Sequence, residues 1–388
     1  MCFRNLCLIV LVSLTACGKI TPGTGDAGMD DGDLPDGEPP CEPTKLVGSG
    51  KSDDPFLVCA GAHLALIGDD AELLAASYRV THDFDVAGMA LVIGPANPSL
   101  FTGVLDGGGH TISNLTLGDG MASAGLFSHI GNGGVVRDLV LDNVAISGGG
   151  TNGALAVRND GNIENVTVNG SIDGSSFTGM LVGLNTGIVD GCSSSGSVGT
   201  GNHMGGLVGS NSGTVTRSFS TATVAATNRV GGLVGTNDGN VRQSFATGRV
   251  DGALFVGGLV GTLRGAGTIE DSFSKCELVN SQNGPSGGLV GNSEADPNVG
   301  GVSVKNSYAA CQTIGNVRGG LIGEVSQGTT VVESFWDLSL TNIGTVGVGK
   351  SRAQMQDAAT FMAWDFATPV WKFDSQISTF PVLAWQKR

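Results

Sequence analysis

Basic residues are scarce in this chain of 388 residues, in which 20 Lys and Arg stand against 35 Asp and Glu. The formal net charge is −15. Nucleic acids and anionic lipid surfaces bind protein faces that are rich in Lys and Arg. The composition therefore argues against nucleic acid as a partner.

Motifs of catalytic and metal sites are also missing. No histidine starts an HExxH motif, and GSNSG places Asn211 where a hydrolase of the GxSxG type has its serine. The segment GSGKS, Gly48 to Ser52, imitates a phosphate-binding loop, but Lys45 occupies the position of the required first glycine. No cysteine lies in a CxxC pair. We therefore expect neither an enzyme nor a metal or other cofactor.

Long apolar runs are few. The one near the N-terminus, Leu6 to Leu14, is shorter than the roughly 20 residues of a membrane-spanning helix. It follows Arg4 and leads into LTAC, which resembles a bacterial lipobox ending at Cys17. We predict a lipoprotein signal peptide over residues 1–16 and lipidation of Cys17, with an ordinary secretory signal as the alternative.

The predicted location follows from that anchor. Acyl chains on Cys17 would make the membrane a partner and hold the protein in the outer membrane or at the cell surface of a Gram-negative bacterium. The next residues, 17–43, contain seven carboxylates, one lysine and many Gly and Pro. Such a segment cannot bury a core, so we expect a disordered acidic tether over residues 17–45.

Glycine is abundant, with 65 residues, and it recurs in a repeat. GGLVGSNSGTVTRSFSTATV, which starts at Gly205, returns 26 residues later as GGLVGTNDGNVRQSFATGRV. The leucines of the GGLVG-like units lie 26 to 32 residues apart, at Leu126, Leu155, Leu181, Leu207, Leu233, Leu259, Leu289 and Leu321. A regular period of this size predicts a solenoid. The Ser, Thr and Val of the return segments favour strands over helices, which predicts an all-β, right-handed parallel β-helix of about 26-residue coils with N- and C-terminal caps.

These repeats resemble the GLUG repeat of bacterial surface proteins, on the pattern GGLVGxNxGxVxxSFATGxV. GLUG repeats are found in adhesin-like chains and in non-catalytic regions of some immunoglobulin A proteases. The resemblance extends over residues 46–388, including FTGVLDGGGHTISNLTL near the start and ESFWDLS near the end. It implies a β-helical architecture and carries no catalytic residues with it.

The organisation along the chain follows from the repeat and its ends. Residues 46–120 are predicted to form the N-terminal cap and first coils, in which AGAHLALIGDDAELLAA suits a short helix. The GLUG-type repeats cover residues 121–344. The four tryptophans lie late in the chain, at Trp336, Trp364, Trp371 and Trp385, which predicts an aromatic-rich cap over the last coil for residues 345–388.

Two polar columns recur at the repeat period. Four asparagines, each followed two residues later by glycine, predict tight corners with positive φ and a ladder of bonded amides at Asn159, Asn185, Asn211 and Asn237. A charged column is predicted to be a solvated outer face rather than an acid–base pair, at Glu164, Asp190, Thr216, Arg242, Glu270 and Lys305.

Five cysteines lie in the predicted mature chain beyond Cys17. SFSKCELV and SYAACQTI align residue for residue, so Cys276 and Cys311 share a position in successive coils. Stacked coils lie about 4.8 Å apart, which suits a disulfide. We predict this disulfide, with two stacked thiols as the alternative, together with a Cys41–Cys59 pair and a free Cys192.

The last column is aromatic and comprises Phe219, Phe245, Phe273, Tyr308 and Phe335. Strand alternation, carried forward from NLTL and NVTV, points these rings outward, whereas hydrophobicity alone argues that they are core. We predict an outward-facing stripe roughly 19 Å long that binds a glycan or an apolar edge of another surface protein.

These features predict a non-enzymatic lipoprotein of the cell surface that acts as an adhesion or binding module. A carbohydrate-active enzyme on a β-helix is one alternative, and a purely structural envelope protein is another.

Overall fold

The computed structural model describes residues 41–388 other than 97–98, 119, 281, 283, 297, 316, 340–343, 345 and 388. The predicted signal peptide, Cys17 and most of the predicted tether lie outside the described residues. Within the described part of the chain, no helix has the length and apolar character that crossing a membrane requires.

The described chain winds into a parallel β-solenoid of about 11 turns, spaced about 26 residues apart. This confirms the predicted parallel β-helix. The first sheet takes one short strand from each coil, and in its three-residue strands from Val104–Asp106 to Thr268–Glu270 the central residue is buried in the core. Its described strands are Phe56–Val58, Ser77–Val80, Val104–Asp106, Val135–Arg137, Asn162–Glu164, Ile188–Asp190, Thr214–Thr216, Asn240–Arg242, Thr268–Glu270, Val302–Lys305 and Thr329–Val332.

Two further sheets complete each coil. The described strands of the second sheet are Phe127–Ile130, Ala156–Asn159, Val182–Asn185, Val208–Asn211, Val234–Asn237, Val260–Gly265, Val290–Ala295 and Ile322–Glu324. Those of the third sheet, which covers the rest of the coil, are Phe84–Asp85, Thr111–Ser113, Thr116–Leu117, Val140–Ser147, Asn152–Gly153, Thr167–Asp173, Thr178–Gly179, Ser193–Gly199, Asn202–Gly205, Phe219–Ser220, Thr223–Gly231, Phe245–Ala246, Arg249–Gly257, Phe273–Ser274, Glu277–Asn280, Ser286–Gly287, Tyr308–Ala309, Gln312–Gly315, Phe335–Asp337 and Val348–Lys350.

Short helices and one hairpin lie near the two ends. The helices are α1 (Gly61–Ile67), α2 (Ala71–Leu74), α3 (Arg352–Met355) and a 3₁₀ turn at Ala358–Phe361. The antiparallel hairpin consists of Trp371–Lys372 and Val382–Leu383. Helices α1 and α2 lie in the segment for which the sequence predicts a helix, and they place Leu64 and Ile67 in the core.

The leucine column forms the centre of the core. All eight leucines of the GGLVG-like units are fully buried. Their backbone amides continue the stack, as where Leu207 N–H donates to the carbonyl of Leu233 at 2.9 Å. Each coil therefore covers the apolar interior of the one before it.

The predicted asparagine ladder is present. The side-chain amide of Asn159 donates to Asn185 Oδ1 at 2.8 Å, Asn185 to Asn211 at 2.7 Å, and Asn211 to Asn237 at 2.7 Å. All four side chains are buried. Because each buried amide is bonded within the stack, the column needs no ligand.

The reason given from sequence for the neighbouring glycines was wrong. Neither the ladder asparagines nor their glycines have positive φ. The glycines are needed because adjacent backbones approach closely: a Cβ on Gly213 would lie 2.1 Å from the carbonyl oxygen of Gly187.

The left-handed corners belong to a different column, which sequence analysis did not identify. From Val135–Arg137 onward, each coil turns after its first-sheet strand through a residue with φ between 44° and 64°, and these residues are Asp138, Asn165, Gly191, Arg217, Gln243, Asp271, Asn306 and Glu333. Only one of the eight is glycine, so their composition hides the shared conformation.

The charged column is an outer face of ion pairs, as predicted. Glu164 and Asp190 lie directly opposite each other in neighbouring strands. Farther along, Glu270 accepts from Arg242 at 3.0 Å and from Lys305 at 3.2 Å. The side chains of Arg242 and Lys305 are about half exposed, so these pairs contribute little to stability.

Both predicted disulfides are present. Cα atoms are 4.4 Å apart in Cys276–Cys311 and 5.9 Å apart in Cys41–Cys59. Cys192 is free and fully buried, as predicted. Burial raises the pKa of its thiol to about 12, so it is protonated at neutral pH.

Candidate functional site

The aromatic column forms a stacked ladder on the outside of the solenoid. Phe219, Phe245, Phe273 and Tyr308 lie in register, with successive ring centroids 4.9 Å apart and ring planes within 5° of parallel. Phe335 lies in register with Tyr308 in the next coil.

The predicted outward direction of these rings is right. The residue before each ring is a serine, and the serines form a buried ladder of their own inside the coil, at Ser218, Ser244, Ser272, Ser307 and Ser334. In that ladder Ser218 N–H donates to Ser244 Oγ at 3.2 Å, and Ser244 N–H to Ser272 Oγ at 3.2 Å. With the serines inside, the rings project from the opposite face.

The predicted exposure of the rings needs correction. Phe245, Phe273, Tyr308 and Phe335 are between 0% and 7% exposed, because residues 352–387 pack over them. Only Phe219, at one end of the ladder, is half-buried. Most of the stripe is therefore a second hydrophobic core rather than an open binding surface.

The same contacts correct the predicted C-terminal cap. Among the described residues of this segment, only Val348–Lys350 pairs with the strand of the last coil, Phe335–Asp337, and Trp336 there packs against the main core. The rest of the segment runs along the side of the solenoid, over five successive rings. We call residues 352–387 the C-terminal cover.

Three tryptophans fasten the cover to the left-handed corners. Trp364 Nε1 donates to the carbonyl of Glu333 at 2.9 Å. Trp371 Nε1 donates to Asp271 Oδ1 at 3.2 Å, and Trp385 Nε1 to the carbonyl of Gln243 at 3.1 Å. The indoles thus combine apolar contact with the ladder and hydrogen bonds to its neighbouring column.

Two ionisable groups lie under the cover, the buried Asp271 and the half-buried Lys275. Burial raises the pKa of the Asp271 carboxyl, although hydrogen bonds from Trp371 and Asn306 oppose this effect. Burial lowers the pKa of Lys275, whose Nζ donates to Ser378 Oγ at 2.8 Å. The Lys275 ammonium also lies 5.4 Å from the centroid of the Phe380 ring.

A groove of about 570 Å³ opens where the cover ends on the ladder. It is lined by Asn165, Gly191, Arg217, Phe219, Phe245, Trp385, Gln386 and Lys387. Trp385 lies over the two rings at this end of the ladder, with its ring centroid 5.7 Å from that of Phe245 and 6.3 Å from that of Phe219. We call this site the ladder groove.

The polar groups of the ladder groove come from the corner column. Arg217 donates from Nη2 to Asp190 Oδ2, and half of its side chain is exposed. Asn165 donates to Asp138 Oδ1 at 3.0 Å and presents its side chain to solvent. Gly191 lies between them, and a Cβ there would be 2.5 Å from Asn165 Oδ1. A groove with an aromatic wall and a few polar groups suits an organic ligand with one flat apolar face.

Of the five predicted ligand-binding residues, the groove brings together Phe219 and Phe245. Sequence analysis did not identify Arg217, Asn165, Trp385 and Lys387 as site residues. No local sequence signal indicates that the C-terminal segment packs against the coils formed by residues 165–245. Within the described part of the chain, no group of three or more His, Cys, Asp or Glu side chains is placed to hold a metal ion.

Comparisons with known proteins match one repeat and part of one curated relative. The profile of the GLUG motif matches residues 226–251. A curated relative, halomucin of Haloquadratum walsbyi, is 35% identical over 135 residues, which is 32% of this chain. The matched region spans only 2% of the length of halomucin.

Two solved structures are similar in outline. One is a candidate immunoglobulin A1 protease from Bacteroides ovatus, with 18% identity and a TM-score of 0.47, covering 88% of this chain and 95% of the other. The second is an IgA1 protease with 18% identity and a TM-score of 0.49, covering 76% of this chain and 23% of the other.

Proposed function

We propose that this protein is a non-enzymatic binding module of the bacterial cell surface that takes a sugar ring of a glycan in the ladder groove. The observation that carries this proposal is the half-open end of the aromatic ladder. There Phe219 and Trp385 present apolar ring surface beside the polar side chains of Arg217 and Asn165.

The chemistry of this wall suits a sugar. A pyranose ring has a flat face of C–H groups that packs on an aromatic ring, while its rim of hydroxyls needs hydrogen-bond partners. In the two preceding coils, the position in register with Phe219 is occupied by Ser193 and Thr167. Their hydroxyls are 3.0 Å apart and extend the polar side of the surface.

The proposed surface location rests on separate support. The GLUG motif and the similarity to part of halomucin favour a surface protein. The sequence around Cys17 favours a lipid anchor in the outer membrane. A Cys17→Ala variant should therefore leave the membrane fraction or remain unprocessed, and the same fractionation and size as the native protein would contradict the anchor.

The binding proposal is tested on a glycan array with residues 17–388 carrying Cys17→Ser, which removes the acylated thiol. We expect glycan binding that Phe219→Ser abolishes, because serine occupies this position in the preceding coil. Binding to no glycan, or equal binding by the variant, would contradict the proposal. Shortening of a bound oligosaccharide during incubation would instead favour the carbohydrate-active alternative.

A further inference from the structure

The ladder groove differs in charge from the molecule that carries it. The chain as a whole has a formal net charge of −15. The described residues that line the groove nevertheless include two cationic side chains, Arg217 and Lys387, and no Asp or Glu. The acids beside the lining are already engaged, since Asp190 is paired with Arg217 and Asp138 accepts from Asn165 at 3.0 Å. The side chains that line the groove are therefore cationic or neutral, in contrast to the acidic chain as a whole.

We propose that the ladder groove selects a hexuronate, a sugar ring that bears a carboxylate; this inference rests on the proposed glycan-binding function. The ring would pack on Phe219 and Trp385. Its carboxylate would accept from Lys387 Nζ and from the guanidinium N–H groups of Arg217 that Asp190 does not use.

The donors needed for this role are available. A guanidinium has five N–H groups, and the structure shows Nη2 of Arg217 donating to Asp190. Lys387 is exposed and forms no ion pair with the other described residues. A carboxylate held between these cations would form charge-assisted hydrogen bonds, which are roughly twice as strong as neutral ones.

The backbone around Arg217 leaves its guanidinium accessible to a ligand carboxylate. Arg217 has φ of 46°, a left-handed conformation that is uncommon for a residue with a side chain. The corresponding corner one coil earlier is Gly191, which adds no side chain between Arg217 and Asn165. A larger residue at position 191 would fill the floor of the groove beside the guanidinium.

The overall charge limits the size of the acidic ligand. Long polyanions are repelled by a chain of this net charge, and two cations cannot offset many acidic groups. A single hexuronate in a short or mixed oligosaccharide fits this balance better than a continuous polyanion.

The experiment measures binding by calorimetry at low salt, with the same residues 17–388 carrying Cys17→Ser. The probes are short oligosaccharides of galacturonate, glucuronate and mannuronate, each paired with its carboxyl-reduced neutral form. We expect at least one acidic probe to bind about tenfold more tightly than its neutral partner, the effect of one charge-assisted hydrogen bond. Arg217→Gln combined with Lys387→Gln should bring that ratio to about one, through a larger loss of affinity for the acidic probe than for its neutral partner.

A matched control is Arg242→Gln, which removes an arginine–carboxylate pair outside the groove and should leave the ratio unchanged. Equal affinity for acidic and neutral probes in the native protein would overturn the hexuronate inference and leave glycan binding intact. An unchanged ratio in the double variant would also overturn it. Binding of none of the probes, with an empty glycan array, would overturn both proposals.

Discussion

Truncation of Trp371 should detach the C-terminal cover while the solenoid stays folded. The Trp371 side chain is fully buried, with its ring centroid 4.5 Å from Trp364, 6.0 Å from Tyr308 and 6.2 Å from Phe273. A buried tryptophan replaced by alanine costs about 3–5 kcal/mol. Loss of the bond to Asp271 leaves a buried carboxylate with one donor fewer, which adds to the cost.

This cost should fall on the cover, because the solenoid strands keep their own ladders. Hydrogen exchange can separate the two regions. The amide of Ala384, which donates to the Val370 carbonyl at 2.9 Å, reports on the cover. The amide of Leu233, which donates to the Leu259 carbonyl at 2.9 Å, reports on the solenoid. In Trp371→Ala we expect protection of Ala384 to fall by about a hundred- to several-thousand-fold while that of Leu233 holds.

Trp385→Ala is the matched control, because Trp385 is only half-buried and holds one end of the cover. Its effect on Ala384 should be smaller, about 1–2 kcal/mol. Equal loss of protection at Ala384 and Leu233 in Trp371→Ala would refute the view that cover and solenoid are separable. Unchanged protection at Ala384 would show that Trp371 does not fasten the cover.

Three further predictions test other contacts. Because burial raises the pKa of Asp271, its carboxyl stabilises the fold most below the unfolded pKa, and this stabilisation is lost as pH rises through the folded pKa. Above that pH the ionised carboxylate opposes folding. Asp271→Asn should therefore raise the melting temperature at pH 7 and have little effect near pH 3. Asn211→Ala should lower the free energy of unfolding by about 3 kcal/mol, measured by denaturant, because it removes amide hydrogen bonds to both neighbouring asparagines. Asn237→Ala, at the end of the ladder, should cost less, and equal costs would contradict the ladder's contribution. Replacing Cys276 and Cys311 together by alanine should lower stability by about 2–4 kcal/mol, and in reductant, which also opens Cys41–Cys59, the native protein and the variant should be equally stable.

The fold was predictable because its signals are periodic. The GGLVG-like units recur at nearly constant spacing, and each repeat buries the same leucine. Side-chain direction was predictable for the same reason, since Val166 and Val168 of NVTV are buried and flank an exposed Thr167. Transferring that alternation to SFS and SYA correctly placed serine inside and the rings outside.

The parts that sequence analysis missed depend on contacts between distant segments. Trp385 reaches Gln243 across 142 positions of the chain, and Trp371 reaches Asp271 across 100. No periodicity links these pairs. The burial of Phe273 and Tyr308 could therefore not be inferred from their own coils, although outward aromatic rings do indicate that some partner covers them.

Phe219 separates the covered part of the ladder from the open part, and its substitution tests the site. The in-register position is aromatic in the coils that the cover overlies. In the two preceding coils, which the cover does not overlie, it carries the hydroxyls of Ser193 and Thr167. Phe219 is the exception, an aromatic ring that remains half-buried at the edge of the cover. We expect Phe219→Ser to cost only about 1 kcal/mol in unfolding experiments, since its ring is only partly removed from water in the folded state.

Phe273→Ser is its matched partner, because that ring is 2% exposed and stacks against its neighbours on both sides. It should cost about 3–5 kcal/mol, the usual range for truncating a buried phenylalanine. If Phe219 is retained for binding, its variant loses glycan affinity at nearly native stability, whereas the Phe273 variant loses stability first. Comparable destabilisation by the two variants would mean that Phe219 is held in place by the cover as firmly as the rest of the ladder, and that the groove has no need of a ligand.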